Sequence, residues 1–114
     1  MTPEPPPMPG GGPLPMLLAA LLASASLQLS SQGPGQASLR LCFDRPDAPI
    51  RYELLVTTQG PAGRSRSRHQ GTADRPCPVR NDLRLPASTQ VDARLVWWLD
   101  AVEQAPVERR VIIE

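Results

Sequence analysis

The chain has 114 residues, with 12 basic against 11 acidic side chains and a formal net charge of +1. This length suits one small domain and excludes a barrel enzyme or a doubly wound nucleotide-binding fold. The balanced charge argues against nucleic acid as a partner, since dedicated binders are usually far more basic. All 12 basic residues are arginine, which excludes a lysine nucleophile or Schiff base.

Residues 1–25 do not have the composition of a folded domain. Seven of the 15 prolines and three glycines lie in residues 1–15, which predicts a disordered extension. An apolar run over residues 16–23 follows, and Ala23 and Ala25 form the A-x-A pattern of a signal-peptidase site. The run is too short to span a bilayer. We therefore predict a signal peptide that is cleaved near Ala25.

The start of this leader and the segment that follows it each need an interpretation of their own. No basic residue precedes Arg40, although a signal peptide normally carries positive charge before its apolar run. Translation from Met16 would explain this, because the free amino terminus would supply the charge. A disordered tail on a cytosolic protein is the alternative. The polar residues 26–36 are predicted to be a linker, so that residues 37–114 form the folded domain.

Alternating apolar and polar residues predict strands throughout this domain. The predicted strands cover residues 37–43, 50–57, 64–72, 83–85, 91–102 and 107–113. Good helix formers over residues 91–105 allow a helix there, but the valines and tryptophans favour a strand. The adjacent Trp97 and Trp98 must then face opposite sides, which predicts that one ring is partly exposed. Together the segments predict an all-β fold, a small antiparallel immunoglobulin-like β-sandwich of about six or seven strands.

Cys42 and Cys77 are the only cysteines in the chain. In an exported protein an even pair predicts a disulfide, which would stabilise the fold by roughly 3–4 kcal/mol through the loop that it closes. Two free thiols are the alternative. The single histidine, His69, does not complete the ligand set of a zinc site. No catalytic or cofactor-binding motif is present, so we predict no enzymatic activity, no metal and no cofactor.

The most unusual segment is the arginine-serine repeat over residues 64–68. In a strand, Arg64, Arg66 and Arg68 would lie on one face about 6.5–7 Å apart, with His69 on the other. This stripe could contact an acidic polypeptide or phosphate. It could also be a charged edge strand that discourages edge-to-edge pairing, or a solvated loop without a role. Nucleic acid is disfavoured, because no aromatic residues are interleaved with the arginines.

Residues 52–71 resemble the central hairpin of the curli assembly chaperones, the CsgC and CsgH proteins. An apolar strand leads into a Gly-x-x-Gly turn at Gly60 and Gly63, and a polar strand with Ser, Gln and Gly follows. The last two predicted strands are also similar, so that the resemblance within the folded domain covers residues 37–113. The short apolar leader that precedes this domain is similar as well. The Cys-x-Cys pair of CsgC is missing here, and a redox role linked to that pair does not carry over.

This resemblance implies an immunoglobulin-like periplasmic protein without enzymatic activity. Such a protein would bind unfolded curli subunits transiently as a monomer, without stable membrane insertion, and would inhibit premature fibril formation. Arg64, Arg66, Arg68 and His69 would form the partner-binding residues. A secreted structural or adhesive β-sandwich module that docks on a larger surface assembly is the alternative. A thiol-based redox or metal protein is a third.

Overall fold

A computed structural model describes residues 23–114 of the chain. The predicted Pro/Gly extension and most of the predicted signal peptide therefore lie outside the described residues. All regular structure in the described part is β-strand, as the sequence predicts. The strands are β1 (Ala25–Gly33), β2 (Gln36–Phe43), β3 (Ile50–Gly60), β4 (Gly63–Thr72), β5 (Val79–Arg84), β6 (Gln90–Leu99), β7 (Val102–Glu103) and β8 (Val107–Ile112).

The strands form two antiparallel sheets that pack as a small sandwich. A three-stranded sheet has the order β1-β2-β5, and a five-stranded sheet has the order β4-β3-β6-β7, with β8 also paired to β6. Alternate residues of both sheets point inward and form one apolar core. Its most deeply buried large side chains are Leu39, Leu41, Ile50, Leu54, Val91, Leu95 and Ile113. The predicted β-sandwich is confirmed, with eight strands instead of six or seven.

The additional strand β1 corrects the prediction that residues 26–36 are a linker. β1 pairs with β2 in an antiparallel register from Ala25↔Phe43 to Ser31↔Ala37. Leu27 is buried in the core, and Leu29 packs against it. The Ser, Gln and Gly composition of this segment indicated a linker, but its two leucines follow the period of a strand. Gly33 instead ends β1, and Gly35 lies in the two-residue turn that joins β1 to β2; both have a positive φ.

Residues 90–99 form a strand, so the alternative of a helix there is wrong. β6 pairs with β3 along its whole length and with β8 along most of its other side. Trp97 is buried in the core against Phe43, with the ring centroids 5.4 Å apart. Trp98 points to the other face and is half-buried. The predicted opposition of the two rings is therefore present.

The predicted disulfide is present and joins Cys42 of β2 to Cys77 in the segment before β5. A main-chain hydrogen bond from the Phe43 N–H to the Pro76 carbonyl lies beside it, with the nitrogen and oxygen 2.7 Å apart. Both contacts attach the connection between β4 and β5 to the three-stranded sheet. The chain thus returns from the five-stranded sheet to the other sheet at a covalently fixed point.

Candidate interaction surface on strand β4

Strand β4 lies at the edge of the five-stranded sheet and pairs only with β3. All its residues are exposed except His69 and Gly71, which are half-buried. The three-stranded sheet therefore covers β3 and β6 but leaves both faces of β4 in contact with solvent over most of its length. An edge strand with this exposure offers unpaired main-chain groups as well as side chains to a partner.

A tight hairpin positions β4. Gly60 of β3 pairs with Gly63 of β4, and the loop between them has two residues, Pro61 and Ala62. Gly63 has a φ of +108°, a conformation that side chains with a Cβ atom rarely adopt. Gly60 lies so close to Thr89 that a Cβ atom would come within 2.6 Å of its Oγ1. Both glycines of the Gly-x-x-Gly turn are therefore required by the geometry.

The register of this hairpin brings three of the four predicted partner-binding residues together. Arg64, Arg66 and Arg68 lie opposite Gln59, Thr57 and Leu55 of β3. These β3 residues alternate with the buried ones, so the arginines project from the outer face of the five-stranded sheet. We call Arg64, Arg66 and Arg68 the arginine stripe.

His69 is separated from the arginine stripe. It lies opposite the buried Leu54 and therefore points toward the inner side of the sheet. There it lines a cleft of about 400 Å³ between β4 and β5, together with Arg68, Tyr52 and Asn81. His69 thus lies on the opposite face of β4 from the arginine side chains, although it shares this cleft with Arg68.

Other arginines on the outer face already have partners. The Arg110 Nε donates to Asp92 over 2.6 Å, and the Arg94 Nε donates to Glu108 over 2.9 Å. Hydrogen bonds from Arg110 and Gln90 lower the pKa of Asp92, which favours its ionised, paired form. Arg51 stacks over Trp98, with the guanidinium carbon 4.0 Å from the ring centroid. Arg51 thus covers one side of the Trp98 ring, which an adhesive module would need to expose in order to dock.

The arginine stripe has no such partner. Among residues 23–114, no carboxylate lies within ion-pair distance of Arg64, Arg66 or Arg68. A shallow depression of about 370 Å³ lies beside Arg64 and Arg66, and Asp92 lines its far side. Because Asp92 is held by Arg110, its charge is already compensated. Among the described arginines of this face, those without a charged or aromatic partner are therefore the three on the edge strand β4.

The sequence did not predict the ion pairs that the acidic residues of the outer face form. The pairs Asp92–Arg110 and Arg94–Glu108 join β6 to β8 across directly paired positions. No signal in the sequence identifies them, because the register of two strands depends on how the chain folds between them. The described residues contain no group of three His, Cys, Asp or Glu side chains that could hold a metal ion. They also contain no helix long and apolar enough to cross a membrane.

No protein-family model and no curated protein matches the sequence. The structure, however, is similar to two solved structures. The solution structure of R. palustris CsgH superimposes with a TM-score of 0.54 at 20% identity, over 80% of this chain and 92% of CsgH. The E. coli curli protein CsgC superimposes with a TM-score of 0.56 at 13% identity, over 78% of this chain and 97% of CsgC. The chain has the CsgC and CsgH fold.

The likeness to CsgC and CsgH extends over nearly the whole length of both proteins. It therefore describes the complete sandwich rather than one shared hairpin. The hairpin of β3 and β4, which carries the resemblance in the sequence, lies within this shared fold. Fold and local sequence thus point to the same group of proteins.

Proposed function

We propose that this protein is a non-enzymatic, exported chaperone that binds curli-type amyloid subunits transiently and delays their fibril formation in the periplasm. The observation that carries the proposal is the arginine stripe, three uncompensated charges on an exposed edge strand. Its context supports the same function, since the sandwich has the fold of CsgH and of the curli protein CsgC. The disulfide is the kind of cross-link that persists in an oxidising compartment such as the periplasm.

The physical basis is electrostatic capture of an unfolded chain. Amyloid grows when extended segments add to exposed strand edges, so a protein that occupies such segments delays nucleation. Each exposed ion pair contributes only about 0.2–1 kcal/mol, so three of them hold a chain weakly and release it again. Transient binding of this kind suits a chaperone that must pass its client on. It should also weaken at high ionic strength, because the charges are exposed to solvent.

The test compares two triple variants with equal loss of charge. The first, Arg64→Ser/Arg66→Ser/Arg68→Ser, removes the arginine stripe. The matched control, Arg40→Ser/Arg75→Ser/Arg84→Ser, removes three exposed arginines that lie outside β4 and outside the cleft between β4 and β5. We expect the natural protein and the control to prolong the lag of curli-subunit fibrillation at substoichiometric dose, and the stripe variant to lose most of this effect.

The readout is the lag time followed by an amyloid dye, with circular dichroism to show that both variants are folded. A stripe variant that prolongs the lag as well as the natural protein would contradict the role of β4. An equal loss in both variants would assign the effect to net charge instead of to this strand.

A further inference from the structure

We propose that β4 receives its partner as an added strand, by main-chain hydrogen bonds along its open edge, and that the partner segment carries acidic side chains at alternate positions. The inference rests on the proposed function for the role of the partner. It goes further because it names the binding mode and the chemical pattern that is recognised. Three observations support it: the hydrogen-bonding phase of the hairpin, the open edge and the position of the charges.

The first observation is which residues of β4 form hydrogen-bonded pairs with β3. In a two-residue hairpin, the residues that flank the loop form a hydrogen-bonded pair, here Gly60 and Gly63. Hydrogen-bonded and non-hydrogen-bonded pairs alternate along antiparallel strands. Arg64, Arg66 and Arg68 therefore occupy non-hydrogen-bonded positions toward β3. Their own N–H and C=O groups are directed away from β3, toward the open edge.

The second observation is that this edge is accessible. β4 has ten residues, contains no proline and has β3 as its only paired strand. The neighbouring edge strand β5 belongs to the other sheet and pairs with β2. A cleft separates residues 68–70 of β4 from β5, and no described strand pairs with the outer edge of β4. Proteins that recognise peptides by strand addition use edges of this kind.

The third observation is that the same residues carry the charge. Each arginine of the stripe offers a pair of main-chain groups at the edge and a cation on the outer face. Alternate residues of a strand are about 6.7 Å apart, so alternate acidic residues of an added strand would lie beside successive arginines. Opposite charges at directly paired positions stabilise an antiparallel sheet, whereas like charges destabilise it. A second copy of β4 would therefore be repelled while an acidic strand is accepted.

The binding experiment uses two peptides of equal length, composition and charge. One alternates glutamate and threonine, and the other has all its glutamates before its threonines. We expect the alternating peptide to bind about tenfold more tightly, since only it can pair its main chain and align several carboxylates with the stripe. On its addition, the amide hydrogens of Arg64, Arg66 and Arg68 should exchange more slowly by NMR. Those of Ser65 and Ser67, already bonded to β3, should not change.

A pair of variants separates main-chain pairing from charge. Arg66→Ser and Arg66→Pro both remove the central charge, but only the proline also removes the outward N–H. Proline is tolerated on an edge strand where the N–H faces solvent. We expect Arg66→Pro to bind the alternating peptide about tenfold more weakly than Arg66→Ser does. Should the proline variant fail to fold, the peptide comparison on the natural protein decides the question.

Equal affinity for both peptides, without alternate amide protection, would overturn strand addition. Equal binding by two folded Arg66 variants would overturn it as well. Neither result would touch the proposed function, which depends on whether the triple stripe variant loses its effect on fibrillation. Conversely, alternate amide protection together with a stripe variant that still delays fibrillation would support strand addition and contradict the proposed function.

Discussion

The arginines of the outer face divide into two groups that differ in their neighbours. Arg94 and Arg110 face Glu108 and Asp92 across paired strands, and these ion pairs join β6 to β8. The arginines of β4 have only Leu55, Thr57 and Gln59 opposite them, and none of these can neutralise a charge. The difference lies in position, because an edge strand has one neighbour and β6 has strands on both sides. The same side chain is thus structural in one place and available to a partner in the other.

Gly60 allows a test of the close contact that holds the hairpin. A Cβ at this position would lie 2.6 Å from the Thr89 Oγ1 and 2.8 Å from the Thr89 Cα, which belongs to the main chain and cannot rotate away. We expect Gly60→Ala to lower the free energy of unfolding by about 1–3 kcal/mol, as overpacking does. Urea unfolding followed by circular dichroism measures this change.

Gly71 provides the control for the Gly60 variant. It also lies in a strand, but a Cβ there would meet its nearest atom, the Tyr52 hydroxyl oxygen, at 3.4 Å. That distance is close to an ordinary contact. Gly71→Ala should therefore be tolerated much better than Gly60→Ala. Equal stability of the two variants would show that the approach of β3 to Thr89 is not a constraint on the fold.

Strand β1 shows how an element can be hidden by its composition. Its sequence, ASLQLSSQG, contains two large apolar residues, and polar residues surround them. A strand at the edge of a sheet needs few apolar residues, because only one of its faces meets the core. Leu27 meets that requirement, and Arg109 of β8 donates a hydrogen bond to the Leu27 carbonyl over 3.1 Å. β1 therefore closes the side of the sandwich opposite to β4.

Substitutions in β1 test whether it is part of the fold. Leu27 is 2% exposed, whereas its neighbour Gln28 is exposed to solvent. We expect Leu27→Ala to lower the free energy of unfolding by roughly 3 kcal/mol, through lost burial and the cavity that remains. Gln28→Ala should change it little. If residues 26–36 were a linker, the two variants would be equally stable in thermal unfolding.

At the scale of the whole molecule, the two sheets are joined differently at their two sides. On one side, β8 reaches β1 through the hydrogen bond of Arg109. On the other side, β4 and β5 stay apart, and the Cys42–Cys77 disulfide fixes the connection between them. The bridge therefore holds the sandwich together where the edge of β4 is open. Such an arrangement leaves β4 accessible without loss of the fold.

Removal of the disulfide should lower the free energy of unfolding but leave binding by β4 unchanged. We expect Cys42→Ser/Cys77→Ser to lower the free energy of unfolding by roughly 3 kcal/mol, because the unfolded chain gains freedom. Neither cysteine lies on β4, so the folded variant should still delay fibrillation at a temperature where it stays folded. Reduction of the natural protein should reproduce the lower stability. An unchanged urea midpoint would show that the bridge is dispensable.

Short-range features of the sequence predict the all-β sandwich, the Gly-x-x-Gly hairpin, the disulfide and the common face of the three arginines. Each depends on a period of two, on turn residues or on the number of cysteines, and all of these can be read along the chain. The linker prediction failed because the Ser, Gln and Gly residues of β1 outweighed the strand period of its two leucines, Leu27 and Leu29. The edge position of β4 and the ion pairs of Asp92 with Arg110 and of Glu108 with Arg94 depend on strand order and register. Residues distant in the chain determine both, so only the folded sandwich shows which arginines are left without a partner.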